Sequence, residues 1–241
     1  MSSILHALQN YQDEASSLTA EVLKLLRSIG QNGRGMSIRF REDFNELRRV
    51  TDENPDREEL SPMFDPAHCD ISRENGFWIE GVSPSGDIAH VQAVRVDTLG
   101  DTSLCEFWAD NKPLFRPPGM NVDLDKSQFD ASPASRMIGG RACYHGELWI
   151  HEDYRGLHLA SKLANLAMLL AAIRFQPDYL YCLIPPKTVR TGLSVRNGYL
   201  HLHPHGIRWA VADSDEIYDE YLVWMNGSEL TGLMERHPAV S

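Results

Sequence analysis

Cysteine is scarce in this chain. Four occur among 241 residues, Cys69, Cys105, Cys143 and Cys182, far apart and without a Cys-x-x-Cys pair. They read as reduced thiols, as in a cytosolic protein. No apolar run approaches the roughly 18–20 residues that span a bilayer, so no membrane segment is expected. The N-terminus lacks a basic stretch followed by an apolar core, so no secretory leader is expected. Positive charge is short as well: 23 Lys and Arg stand against 34 Asp and Glu, a formal net charge of −11. Such a surface repels nucleic-acid phosphates and anionic membranes. It is compatible with a cationic or amine-bearing substrate, and equally serves solubility alone. No internal repeat or low-complexity tract is present. The apolar fraction, 42%, is that of an ordinary globular protein, in a length that supports one substantial core or one domain with an appendage.

The first segment has its own period. Ile4, Leu8, Tyr11, Ala15, Leu18, Val22, Leu25 and Ile29 are spaced alternately by four and three, a heptad seam. Residues 1–34 are therefore expected as an N-terminal helical extension. It either lies along the domain with its stripe buried or pairs with a second copy as a homodimer. Residues 35–241 are expected to form the main domain. Met36–Arg41 alternates as a strand, and Asp43-Phe-Asn-Glu46 has the capping-box pattern that starts a helix to about Thr51. Gly76–Val82 and Ile88–Val96 flank turn residues Ser83–Asp87 and read as a hairpin. Residues 98–140 carry several prolines and little pattern, and read as an ordered insertion with one short helix near Ser103–Trp108.

The densest information lies at Glu147–Ala160. A strand over Arg141–Ile150 feeds a short acidic turn, then Arg155-Gly156, then an Ala- and Leu-rich helix over Gly156–Phe175. A strand that opens through a tight turn into a helix aims several unpaired N–H groups at one point. That point is a ready anion site, which suggests a phosphate-bearing cofactor. Pro177 ends the helix, Tyr179–Ile184 is the next strand, and Pro185-Pro186 breaks it. Thr188–Asn197 reads as a short helix stopped by Gly198. Tyr199–His203 and Tyr221–Met225 read as the last strands. His201, His203 and His205 alternate and could share one side of a strand, as metal ligands do. Pro204 interrupts them and no carboxylate or cysteine completes the set nearby in sequence, so no metal is expected.

This order, with Arg155-Gly-Leu-His158-Leu-Ala160 at the strand–helix junction and Arg196-Asn-Gly-Tyr199 after the second helix, resembles the GCN5-related N-acetyltransferase (GNAT) family. The junction is similar to that family's Gln/Arg-x-x-Gly-x-Gly/Ala motif, and the resemblance covers about residues 36–226. It implies an α/β fold: a mixed, mostly antiparallel central sheet flanked by helices, here with the extra N-terminal helix and an insertion between strands three and four. It also implies acetyl or short acyl transfer from acetyl-CoA to the amine of a small-molecule or peptide acceptor, with no nucleic-acid or membrane partner. On the resemblance, Arg155, Gly156, Leu157, His158, Leu159 and Ala160 would hold the pyrophosphate. The strand edge at Leu148, Trp149 and Ile150 would pair with the pantetheine amides.

Two positions depart from the family pattern. His158 stands where Gly is usual, and Ser194 stands where a Tyr commonly protonates the leaving thiolate. The family's catalytic side chains project from near positions 144 and 146, here Tyr144 and Gly146. Glu147 lies one residue away, where a β-bulge could turn it into the cleft, and His145 is the other ionisable neighbour. Glu147, Tyr144 and Ser194 are the candidate catalytic residues, with an ordered water as the alternative base. Lys187 and Arg190 could reach cofactor phosphates or simply be solvated. Beside the enzyme stands a second reading, a non-catalytic acyl-CoA-binding or interaction module on the same fold.

Overall fold

A computed structural model describes residues 14–233 of the chain. The described elements begin with α1 (Glu14–Asn32), β1 (Ser37–Arg41), α2 (Phe44–Asp52), β2 (Gly76–Val82) and β3 (Ile88–Thr98). The insertion supplies α3 (Leu104–Asp110), α4 (Lys112–Phe115) and β4 (Val122–Gln128). Then follow β5 (Arg141–Ile150), α5 (Leu159–Phe175), β6 (Tyr179–Ile184), α6 (Pro186–Arg190), α7 (Leu193–Arg196), β7 (His201–Val211), β8 (Ile217–Asn226) and α8 (Gly227–Thr231).

The strands form one eight-stranded sheet in the order β1-β2-β3-β5-β6-β8-β7-β4. Every pairing is antiparallel except β5 with β6. The mixed, mostly antiparallel sheet that the resemblance implies is therefore present. The insertion is more regular than its composition suggests. Ser103 and Glu106 close a capping box at the start of α3. Val122–Gln128 adds itself to the far edge of the sheet against β7 through a bulged register. Its apolar signal is only Val122 and Leu124 between aspartates, too short to stand out as a period-two run.

Both faces of the sheet are covered. On one face α5 packs through Leu163, Leu166, Ala167 and Leu170, all fully or almost fully buried. Its outer face is buried as well, because α1 lies on it with Leu18, Val22 and Ile29 in the same core and Lys162 Nζ donating to Ser28 Oγ at 2.8 Å. The alanines of α5 leave room for this double contact. The described part of the heptad seam is thus used inside the chain; Ile4, Leu8 and Tyr11 lie outside the described residues. The other face carries α2, the 53–75 loop and the insertion, around Phe64, Trp78, Trp108, Tyr181 and Trp209.

Three element boundaries differ from the sequence reading. The helix after Arg155 begins at Leu159, because Gly156 and His158 have φ of +76° and +54° and belong to the turn. The stretch 188–197 is broken into α6 and α7 by Gly192 at φ +67°. The last hairpin is longer than expected: β7 runs to Val211 and β8 starts at Ile217. A break between His203 and Ile207 absorbs Pro204 as a register shift, so the proline does not end the strand.

Candidate functional site

β5 and β6 start as neighbours and then part. They pair only over Ala142↔Tyr179, Cys143↔Leu180 and Tyr144↔Tyr181. Beyond Tyr144 the β6-facing edge of β5 has no strand partner, and a wedge opens between the two strands. The wedge leads into a cleft of about 710 Å³ whose walls include Tyr144–Trp149 of β5, Arg155 of the turn, Cys182–Ile184 of β6, Ser194 and Asn197 near α7, and Glu220 of β8. Pro117, Pro118 and Met120 of the insertion and Asp56–Glu59 of the preceding loop close its far side.

A β-bulge shapes the β5 wall. Val91 pairs with Trp149 and Ala93 with Gly146, so β5 carries one extra residue there, and Glu147 takes φ +58°. The bulge leaves Glu147 and Leu148 outside the β3 ladder. The carbonyl of Trp149 accepts from His90 Nδ1 at 2.7 Å, which supports the strand where it is irregular. Gly146 lies against aromatic rings: a Cβ there would stand 2.6 Å from the Tyr144 ring and 2.9 Å from the Phe64 ring.

The bulge carries Glu147 toward Arg57 and Ser61, and its carboxylate accepts three hydrogen bonds. It accepts from Arg57 Nη2 at 2.9 Å, from Ser61 N–H at 3.1 Å and from Ser61 Oγ at 2.6 Å. The ion pair is almost solvent-free, and burial pulls the Arg57 guanidinium below its ordinary range, against the opposing effect of Glu147. Glu147 thereby ties the 57–61 loop to the bulge. Tyr144 lies on the cleft wall with its phenol pushed well above the usual range by burial. Ser194 is buried, and among the described residues neither its Oγ nor the buried Oδ1 of Asn197, one helical turn on, has a hydrogen-bond partner.

A buried chain of hydrogen bonds stands behind this wall. Gln92 Nε2 donates to the Leu163 carbonyl at 2.7 Å, so its Oε1 accepts from His145 Nε2 at 3.0 Å. The other nitrogen of His145 is then an acceptor, and the Tyr199 hydroxyl donates to it at 3.1 Å. Burial lowers His145 to about 4, which keeps the ring neutral and suited to that role. Tyr199 is left with only lone pairs to offer a further group.

The turn at the end of β5 has the form read from the sequence. Glu152–Tyr154 makes one 3-10 turn, Arg155 Nε returns to the Ile150 carbonyl at 2.9 Å, and the chain reverses at Gly156. Among the described residues, no hydrogen bond takes the N–H of any residue from Gly156 to Ser161. They stand at the positive end of a 17-residue helix. A Cβ at Gly156 would meet nothing, so its glycine is required by φ rather than by space. His158 is exposed and makes no capping bond.

The remaining candidates are dispersed. Lys187 is exposed at the cleft edge, and Arg190 is exposed outside its lining. His201 pairs with Glu229 at 2.8 Å and stacks on Trp224, whereas His205 pairs with Asp219. The histidine series is thus divided among separate carboxylates, and no group suited to a metal ion is found among the described residues.

One residue escaped the sequence reading. Glu220 is buried in the cleft wall, with Trp209 Nε1 donating to its Oε2 at 2.8 Å. Burial raises this carboxyl to about 7. The signal was a lone carboxylate two residues before the apolar Leu222-Val-Trp-Met225 run, at a place where the strand had not been recognised.

No family model matches the chain, and no curated protein does. Solved structures do resemble it in fold. One is Arabidopsis thaliana NAA60 in complex with acetyl-CoA, with 13% identity over 79% of this chain and 98% of that one, at a TM-score of 0.46. Another is a chimera of the spermidine N-acetyltransferase SpeG from Vibrio cholerae with hSSAT, with 9% identity over 80% of this chain and 97% of that one, also at 0.46.

Proposed function

We propose that this chain is an acyl-CoA-dependent N-acyltransferase. It would move an acetyl or short acyl group to an amine of a small molecule or peptide by direct attack in a ternary complex. The observation that carries the reading is one cleft in which the β5–β6 wedge, the β5 bulge and the helix-terminal turn meet.

The residues fit an acyl-CoA. The free N–H groups from Gly156 to Ala160 suit its pyrophosphate. The unpaired edge at Leu148–Ile150 suits the amides of the pantetheine arm, as an added strand would. The orphaned Ser194 Oγ and Asn197 Oδ1, with the lone pairs of Tyr199, supply polar partners along the opposite wall. When bound, the cosubstrate supplies an activated thioester. Main-chain N–H groups beside the bulge would then polarise its carbonyl as charge develops on oxygen.

Cys182 lines the same cleft, yet its thiol is pushed well up by burial and by Glu220, so it is not a ready nucleophile. This favours direct transfer over an acyl-cysteine route. Ser194 would hydrogen-bond a leaving sulfur, although it lacks the acidity of a phenol. The acceptor would approach from the side of Asp56, Glu58 and Glu59, which suits an amine that arrives as a cation.

The binding-module reading keeps one specific support, the engagement of the Glu147 carboxylate by three donors from Arg57 and Ser61. Release of coenzyme A thiol with a panel of primary amines separates the two. Turnover supports the enzyme, and tight acetyl-CoA binding without turnover on any amine supports the module. Cytoplasmic residence belongs to the same proposal and rests on four cysteines that are all free. Among the described residues no helix is long and apolar enough to cross a membrane. A homodimer through the N-terminal helix is a separate proposal, tested by light scattering.

A further inference from the structure

We infer that Glu220 is the general base that takes the proton of the acceptor amine. The inference rests on the acyltransferase reading and assigns a role that neither Glu147 nor Tyr144 can fill.

The place of Glu220 follows from strand register. Ile184, the last residue of β6, pairs with Tyr221 of β8, so Glu220 lies one position past the end of β6, at the open mouth of the wedge. On its other side it pairs with Ile207 of β7. The indole of Trp209 fixes one carboxyl oxygen, and among the described residues no donor reaches the other. The residue is 9% exposed and lines the cleft. Its charge acts on Tyr144 from β5, Cys182 from β6 and Tyr218 from its own strand, which line the same cleft. Glu147 acts in turn on Tyr144, and Glu58 on Tyr218. No cation is among these neighbours, so the carboxylate has an unspent attraction for an incoming ammonium.

The other candidate bases are each occupied. Glu147 has three donors on its carboxylate. His145 has both nitrogens committed, one to Gln92 and one to Tyr199. The Tyr144 phenol stays protonated at neutral pH. Glu220, raised to about 7, changes charge where a base for an amine is most effective.

In the step, Glu220 takes one proton from the ammonium. The nitrogen lone pair then bonds to the thioester carbonyl carbon, and the C–S bond breaks with its electron pair going to sulfur. The second proton shed by nitrogen neutralises the sulfur through solvent, and Glu220 returns its own proton to the bulk.

The test compares wild type with Glu220→Gln, which keeps the acceptor for Trp209. Two probe nucleophiles are used, ethylamine, which is cationic at neutral pH, and hydroxylamine, which is already neutral. Coenzyme A thiol release is followed from pH 5.5 to 9. Wild-type kcat/KM with ethylamine should rise through about pH 7. Glu220→Gln should lose about 100-fold or more with ethylamine and less than about tenfold with hydroxylamine, while acetyl-CoA affinity is unchanged. Independently of turnover, an infrared carboxylic-acid band should be present in wild type at pH 5.5, disappear with a midpoint near 7, and be missing from the variant. Equal losses with both probes, an unaltered pH profile, no turnover of either probe by protein that binds acetyl-CoA, or an infrared band unaffected by the substitution each overturn the assignment. Failure of the wild type to bind acetyl-CoA at all overturns the acyltransferase reading instead.

Discussion

Glu220, His145 and His90 are three buried titratable side chains with opposite consequences for stability. Glu220 is raised to about 7, so its contribution is fully present below the ordinary carboxylate range and is lost as pH rises through 7. The loss is about 3 kcal/mol. Replacing it with Gln removes that loss: thermal denaturation should show the variant more stable than wild type above pH 7 and equal to it at pH 4.5. The histidines act the other way. Burial lowers His90 to about 3 and His145 to about 4, so stability present above pH 6.5 is lost as pH falls toward 4. Glu220 gains stability over the same window, so urea titrations should show wild-type stability falling by roughly 1.4 kcal/mol per pH unit and that of Glu220→Gln by roughly 3 kcal/mol per pH unit. A flat profile would mean that these rings are not buried neutral groups.

His158 is the other residue-scale oddity. A non-glycine side chain at φ +54° carries strain, and it sits where an anion would approach the helix. Exchange to Gly should raise Tm slightly, by up to about 1 kcal/mol of stability, and should not weaken acetyl-CoA binding. A tenfold loss of affinity would show that the imidazole itself contacts the cosubstrate. Arg57→Ala should behave differently. It strands the buried Glu147 carboxylate and should cost about 3–5 kcal/mol, read from denaturant midpoints.

At the scale of elements, the β5–turn–α5–β6 unit was legible because each of its parts has a local cause. An apolar run, a Gly at positive φ, alanine-rich helical spacing and Pro177 each punctuate the chain where the structure does. The bulge at Glu147 was foreseen as a possibility, but its partners were not, because Arg57 and Ser61 are about ninety residues away in sequence. β4 and the inner halves of β7 and β8 were missed for a related reason. Their strand character comes from pairing with one another and with the sheet edge, and their apolar runs are interrupted by Asp123, Asp125, Pro204, Gly206 and Asp219. Glu220 stayed hidden with them: only the β6–β8 register brings it to the wedge.

For the molecule as a whole, α1 decides how the core is completed. α5 would expose one face if α1 were absent, and Val22 and Ile29 are fully buried there. Ile29→Ala should cost about 2–5 kcal/mol in equilibrium unfolding. A negligible cost would argue that the helix is a detachable arm, available to a second copy. The acidic balance of the chain, −11, acts at the same scale and matches a cleft whose outer rim holds Asp56, Glu58 and Glu59.

On the proposed function, the turn at Gly156, at the end of the β5–β6 wedge, would receive the phosphates of an acyl-CoA. Calorimetric titration of acetyl-CoA into wild type and Gly156→Pro tests it most directly, because proline cannot adopt φ +76° and the turn lies at the surface. Stoichiometric binding to wild type, lost in a variant with unchanged circular dichroism, is the expected result. Equal binding by both proteins, or none by the wild type, would contradict the account.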